Sequence, residues 1–188
     1  MKLARGLAAL VGAGGSVAAY LLVVQGKLTL DLGLGRRLRR LGPIEVEVDA
    51  PQATVFDVVA GPYLGKTPMA MQDKLKVIER GGEMVLAEHF TVVNPWLKAT
   101  TLETVRFQRP SRVSFRLLRG PVPFAEETFD IEARGHKTLF TYNGHLGSDL
   151  WSVGQWWSDT VARRWEKTVE NSISLIKAES ERRSATSS

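Results

Sequence analysis

The sequence predicts an α+β fold, a curved antiparallel sheet of about seven strands around one long C-terminal helix, with a membrane helix in front of it. Three observations predict it. Residues 44–145 alternate at the strand period and are broken by turn dipeptides. From Leu150 to about Glu181 apolar residues step by four and three without a proline, as on one face of a helix. Leu7 to Val24 is a run of 18 residues without a charge.

At 1.5 Å per residue that run spans roughly 27 Å, close to the bilayer core of about 30 Å. Lys2 and Arg5 precede it, and Lys27, Arg36, Arg37, Arg39 and Arg40 follow. Residues 1–26 therefore read as a single-pass anchor. The heavier basic flank on the C-terminal side places the soluble domain in the cytoplasm. Two other readings stay open. Ser16-Val17-Ala18 is a small-x-small site of the kind that ends a cleaved signal peptide. The run could also be a buried core helix, which Gly12, Gly14 and Gly15 would weaken in water.

Residues 27–42 read as a basic juxtamembrane linker. Leu34, Leu38 and Leu41 recur at helical spacing among arginines, which suits either a short helix on anionic headgroups or a solvated tether. Leu28, Leu30, Leu32 and Leu34 alternate with Thr29, Asp31 and Gly33 instead, a strand period. Membrane contact is expected through residues 7–24 and the basic segment 36–40.

The main domain is expected over 43–181. Ile44 to Asp49 alternates strictly and forms a strand. Pro51 opens a helix carrying Val55, Phe56, Val58 and Val59, which Gly61-Pro62 should stop. A second short helical or turn segment over 63–68 follows. Strands come next over 74–79, 84–93, 97–107, 113–117, 124–133 and 138–145, separated by Gly81-Gly82, Asn94-Pro95, Arg109-Pro110, Gly120-Pro121 and Arg134-Gly135. Asp149 is placed to N-cap the last helix. Its apolar stripe is Val153, Trp157, Val161, Trp165, Val169, Ile173 and Ile176. Residues 182–188 read as a disordered tail.

The net charge of +5 is concentrated near the N-terminus: residues 1–40 hold seven basic side chains against Asp31, and the rest of the chain is close to neutral. That argues against a nucleic-acid surface on the domain. With no cysteine, disulfides, thiolate catalysis and zinc–thiolate sites are excluded. The three histidines are scattered, and no phosphate loop, HExxH or nucleophile elbow occurs, so neither a metal nor a cofactor is expected.

The order of elements resembles the START-like superfamily (SRPBCC), the helix-grip fold of polyketide cyclase-like and lipid-transfer proteins. Carrying the resemblance are Ile44 to Phe56 (IEVEVDAPQATVF), the hairpin ladder with its Arg109-Pro110 turn, and the Trp-rich terminal helix. It covers roughly residues 43–180. It implies a cavity under the long helix for a hydrophobic small molecule or lipid, and leaves open whether the domain carries its ligand or acts on it. The expected function is thus a membrane-anchored binding domain, with enzyme status unresolved and leaning against. The alternatives are a cyclase- or hydrolase-like enzyme using the same cavity, and a structural module that binds no ligand.

Candidate cavity residues are Glu103, Glu127, Tyr142, His145, Trp151 and Trp157. Glu103 shares a strand face with Thr101, Val105 and Phe107, and Glu127 shares one with Phe129 and Ile131, so either carboxylate, if that face is buried, has its pKa raised. His89 is a further strand candidate. Tyr142 goes with Phe140 and His145 with Leu139, Thr141 and Asn143, and the pattern does not tell which of these faces is inward. Trp151 and Trp156 lie off the helix stripe and suit a cavity mouth or membrane contact, whereas Trp157 and Trp165, within the stripe, also suit core filling. Any of these polar residues could instead be an outward or internally paired side chain without chemistry.

Overall fold

A computed structural model of the chain describes residues 15–65 and 67–186. Seven strands, β1 (Arg37–Val48), β2 (Leu75–Arg80), β3 (Met84–Asn94), β4 (Leu97–Gln108), β5 (Arg112–Arg119), β6 (Phe124–Arg134) and β7 (Lys137–Ser148), form one antiparallel sheet in the order β1-β7-β6-β5-β4-β3-β2. The helices are α1 (15–24), α2 (Gln52–Leu64) and α3 (Trp151–Thr186), with a 3-10 turn at Met69–Met71 between α2 and β2. Strands β2 to β7 follow one another as hairpins, and β1 pairs with β7, Val48 opposite Thr138.

Alternation sends Val85, Val105, Val113, Ile131, Phe140 and Tyr142 inward, where each is at most 2% exposed. They meet Val55 and Phe56 of α2 in one core. Each side chain of this size removed from water contributes about 1.5–3 kcal/mol.

Helix α3 is seated by small residues. Gly154, Ser158 and Ala162 recur every four positions and are buried, which brings the first half of the helix close to its neighbours. A Cβ on Gly154 would collide with the Asp149 carbonyl oxygen, so only glycine fits. This seam sets the rotation of the helix and leaves Val153, expected in the apolar stripe, 67% exposed. The main partners of α3 are β1, β7 and α2, so it roofs the β1–β7 side of the inner face, while α2 packs against β3, β5 and β6. Arg39 of β1 bridges to Asp159 at 2.7 Å and Glu166 at 3.1 Å, tying the strand to the helix.

Several expectations need correction. Residues 37–42 are not a linker or a headgroup helix but the first half of β1. The strand passes Gly42-Pro43 by a register shift, and Gly42 has φ 76° with the Tyr142 carbonyl 2.8 Å from where a Cβ would stand. Leu41 is thereby turned fully inward while Leu38 stays exposed, a pattern that helical spacing would not produce. Helix α2 continues through Gly61-Pro62 to Leu64, because a proline this near a helix end displaces few backbone hydrogen bonds, and Gly65 N–H still reaches Gly61 O at 2.9 Å. Residues 182–186 extend α3, with Arg182 and Arg183 both paired to Glu179, whereas 187–188 lie outside the described residues.

The predicted membrane helix over residues 7–24 lies partly outside the described residues, which begin at 15. Among the described residues no helix is long and apolar enough to cross a membrane. Helix α1 is largely exposed and touches the domain at its end: Val24 is 5% exposed, and the Tyr20 ring meets the edge of Trp157 with centroids 6.1 Å apart.

Candidate functional site

Two carboxylates stand on the inner face with β5 between their strands, about 12 Å apart by backbone. Glu103 on β4 faces Leu117, and Glu127 on β6 faces Phe115. They are 5% and 9% exposed. Strand alternation forces both inward because Val105 and Phe129, two residues along, must be buried.

Glu127 is held from two sides. Tyr142 O–H, on β7, donates to its Oε1, and Trp165 Nε1–H, from α3, donates to the same oxygen at 2.6 Å. Oε2 is left to carry a proton. Burial, with the Glu103 charge adding to it, pushes the Glu127 carboxyl up to about 7, while the two donated hydrogen bonds pull the other way. Near neutrality this group can therefore both give and take a proton. Burial and the adjacent Glu127 charge push the Tyr142 phenol far up, so it is a donor at every working pH.

Glu103 belongs to a second chain of groups. Thr101 Oγ1–H donates to its Oε1 at 2.5 Å, and its Oε2 lies 3.3 Å from His89 Nδ1, off the line of a hydrogen bond. The other ring nitrogen of His89 is 2.9 Å from the Tyr63 hydroxyl. Burial, then Glu103 and Glu127, raises the Tyr63 phenol, which stays protonated. The His89 side chain is 23% exposed and brings this chain of groups to partial contact with solvent.

Aromatic rings surround both carboxylates. Phe115 sits edge-on to Phe129 at 5.2 Å, and Phe129 lies 5.8 Å from Tyr142. On the sheet Phe107 and Phe115 are half-buried, and on the helix Trp157, Val161 and Trp165 are too. Apolar surface thus flanks the polar groups on both walls. Two surface grooves of about 390 and 360 Å3, lined by Thr54, Asp57 and Arg182 and by Asp49 and Glu181, sit at the other end of α3 and do not reach the carboxylates.

Of the six candidates, the structure brings Glu127 and Tyr142 into contact and places Glu103 on the same face. Trp157 is half-buried and donates from Nε1 to Pro121 O at 2.7 Å, which fixes it at the rim of the β5–β6 loop. His145 is a correction: it is exposed on the outer face, because Tyr142, Gly144 and Leu146 take the inner positions of β7. Trp151 is another: it is 56% exposed and lies against Gly35, outside the cavity. Asp149 is not an N-cap. Its carboxylate accepts the N–H groups of Leu32 at 2.6 Å and Gly33 at 2.8 Å and pairs with Arg36 at 2.7 Å. Sequence reasoning assigned Trp165 to core filling and missed Tyr63. The signal for Trp165 is its indole N–H, a donor that needs a partner once buried; Tyr63 carries no comparable signal. Among the described residues no group of acidic and histidine side chains could hold a metal ion.

No protein-family model matches this chain, and no curated protein matches it by sequence. Solved structures do match by fold. An aromatase/cyclase, ZhuI from Streptomyces sp. R1128, superposes with TM-score 0.64 at 15% identity, covering 79% of this chain and 95% of that one. The protein TTHA0849 from Thermus thermophilus gives 0.58 at 18%, covering 76% and 96%. A START superfamily protein from Mycobacterium smegmatis gives 0.53 at 16%, covering 77% and 97%. At these identities the likeness establishes the fold: a curved seven-stranded sheet with a long C-terminal helix, of the START and polyketide cyclase-like kind.

Proposed function

We propose that this chain binds a hydrophobic small molecule or lipid between α3 and the β3–β5 part of the sheet, with Glu127, Tyr142 and Trp165 as the polar end of the site. The observation that carries this reading is Glu127, an ionisable group kept inside an apolar interior by one donor from the sheet and one from the helix. Such a group costs stability, and ligand sites are where a few fixed polar groups stand among apolar walls. The fold shared with a START protein and with an aromatase/cyclase agrees with it. The apolar run 7–24 and the arginines at 36–40 would hold the domain at a bilayer, where a poorly soluble ligand is concentrated.

A second reading, a cyclase-like enzyme, is favoured by one specific observation: the Glu127 carboxyl titrates near 7, where a general acid or base works best. The test begins with the full chain purified from cells and extracted for mass spectrometry. A stoichiometric apolar molecule supports the binding reading, and an extract without one refutes it. Conversion of that molecule by the chain, lost in Glu127→Gln while binding persists, would establish the enzyme.

A further inference from the structure

The segment that joins α1 to β1 leaves its leucines in the open. Its Thr29 hydroxyl accepts the Gly120 N–H at 3.0 Å and donates to Gly120 O at 2.9 Å. Leu28, Leu30, Leu32 and Leu34 are 40, 48, 52 and 56% exposed. So many exposed leucines in one short segment mark an interaction surface.

This rail is rigidly held. Asp149 accepts the Leu32 and Gly33 N–H groups, and the carbonyls of Leu34 and Gly35 accept the N–H groups of Leu150 and Trp151 at 2.7 and 3.1 Å. Those two bonds fix Leu150 and Trp151 at φ 71° and 50°, a region that residues with a Cβ enter at a cost. The strained junction also joins the rail to the first turns of α3, where Trp151 is 56% and Trp156 67% exposed. Trp151 packs on Gly35, so the end of the rail and the start of α3 meet there.

The charge around the face selects its partner. Lys27, next to Leu28, and Arg37, which donates to Gln155 next to Trp156, are exposed, whereas Asp31, the one acidic residue in segment 15–40, is paired with Arg36. The chain before residue 15 adds Lys2 and Arg5 in sequence. Leucines, interfacial tryptophans and flanking cations together match an anionic lipid surface.

We propose that Leu28 to Leu34, with Trp151 and Trp156, form a peripheral docking face for an anionic bilayer, distinct from any anchoring by residues 7–24. It shares with the function proposed above only the expectation of a membrane, and does not depend on the ligand site. The chain lacks cysteine, so single cysteines can be introduced into the full-length protein at Leu30→Cys, Trp156→Cys and, as a control, Glu132→Cys near the β6–β7 turn at the other end of the sheet. Each is labelled with an environment-sensitive fluorophore and mixed with vesicles of phosphatidylcholine, alone or with phosphatidylglycerol.

The expected result is a blue shift at positions 30 and 156 with the anionic vesicles, and none at 132. Leu30→Asp combined with Leu32→Asp should weaken vesicle binding about tenfold or more with an unchanged circular-dichroism spectrum. Protein that pellets with vesicles while labels at 30 and 156 stay aqueous overturns the docking face and leaves a plain tether. A shift that grows with protein concentration in the absence of vesicles overturns it in favour of a second copy of the chain. Ligand recovered on extraction from the Asp variants, as from the parent, separates this outcome from a failure of the binding site.

Discussion

Replacing Glu127 by glutamine should change how stability depends on pH. In the folded chain the carboxyl titrates near 7, against an ordinary 4.5. Between those values the native state holds a proton that the unfolded chain has released, so stability falls as pH rises. The loss amounts to about 3 kcal/mol over a shift from 4.5 to about 7, at 1.36 kcal/mol per unit. The contribution is complete below about 4.5 and gone above about 7. Carboxylates with lowered pKa, such as Glu179 at about 2, titrate below this window and do not mask it. Glutamine keeps an oxygen for Tyr142 and Trp165 and puts an amide where Oε2 stood, a change that does not vary with pH. Urea unfolding of both proteins from pH 4.5 to 8 reads the difference directly. The wild type should lose about 1.4 kcal/mol per pH unit between about 5 and 7 relative to Glu127→Gln. Two curves running parallel across that range would show that Glu127 is an ordinary solvated carboxylate and refute the reasoning.

Trp165→Phe removes a donor that favours the charged form, so the Glu127 carboxyl should titrate above 7 and the falling limb should extend to higher pH, as NMR of labelled glutamate would record. Gly154→Ala forces a Cβ against the Asp149 carbonyl and should cost about 3 kcal/mol or more in thermal unfolding, whereas Val153→Ala next to it should change stability by less than about 0.5 kcal/mol. Asp149→Asn leaves Arg36 without its buried partner and weakens the hold on residues 32–33; amide exchange at Leu32 and Gly33 should quicken by about tenfold or more while the sheet amides keep their protection.

The strand ladder was legible because each strand buries one face and each turn carries its own chemistry: Gly81-Gly82, Arg109-Pro110 and Gly135 all fall between strands. The start of β1 was hidden. Leu34, Leu38 and Leu41 happen to lie at helical spacing, and nothing local reveals that Gly42 would let the chain bulge and continue pairing with β7. Glu103, Glu127 and Tyr142 were readable as candidates from alternation alone, but the choice between the faces of β7 was not, since Phe140 and Leu139 offer equal apolarity. Only the partner strands decide it: Phe129 stands opposite Tyr142 and is buried. The bond from Trp165 to Glu127 was not legible because a helix stripe gives no depth, and it depends on how closely Gly154, Ser158 and Ala162 let α3 descend.

A filled core would not arrange its polar groups as this interior does. Keeping Glu127 inside costs about 3 kcal/mol at neutral pH, from the same rise to about 7, and an uncharged residue of similar volume would relieve it. Its two donors come from different elements, Tyr142 from the sheet and Trp165 from the helix that roofs it, so the carboxyl joins floor to roof at the edge of the part α3 covers. Glu103 and His89 continue the polar groups toward the side where the helix gives no cover, and His89 meets solvent there. The polar groups thus run from a partly exposed imidazole to a buried carboxyl whose protonation is undecided at neutral pH. Stability alone gives no reason for that order. Recognition of a molecule with an apolar body and one polar end does, because the buried carboxyl can then match either a donor or an acceptor on its ligand by shifting a single proton.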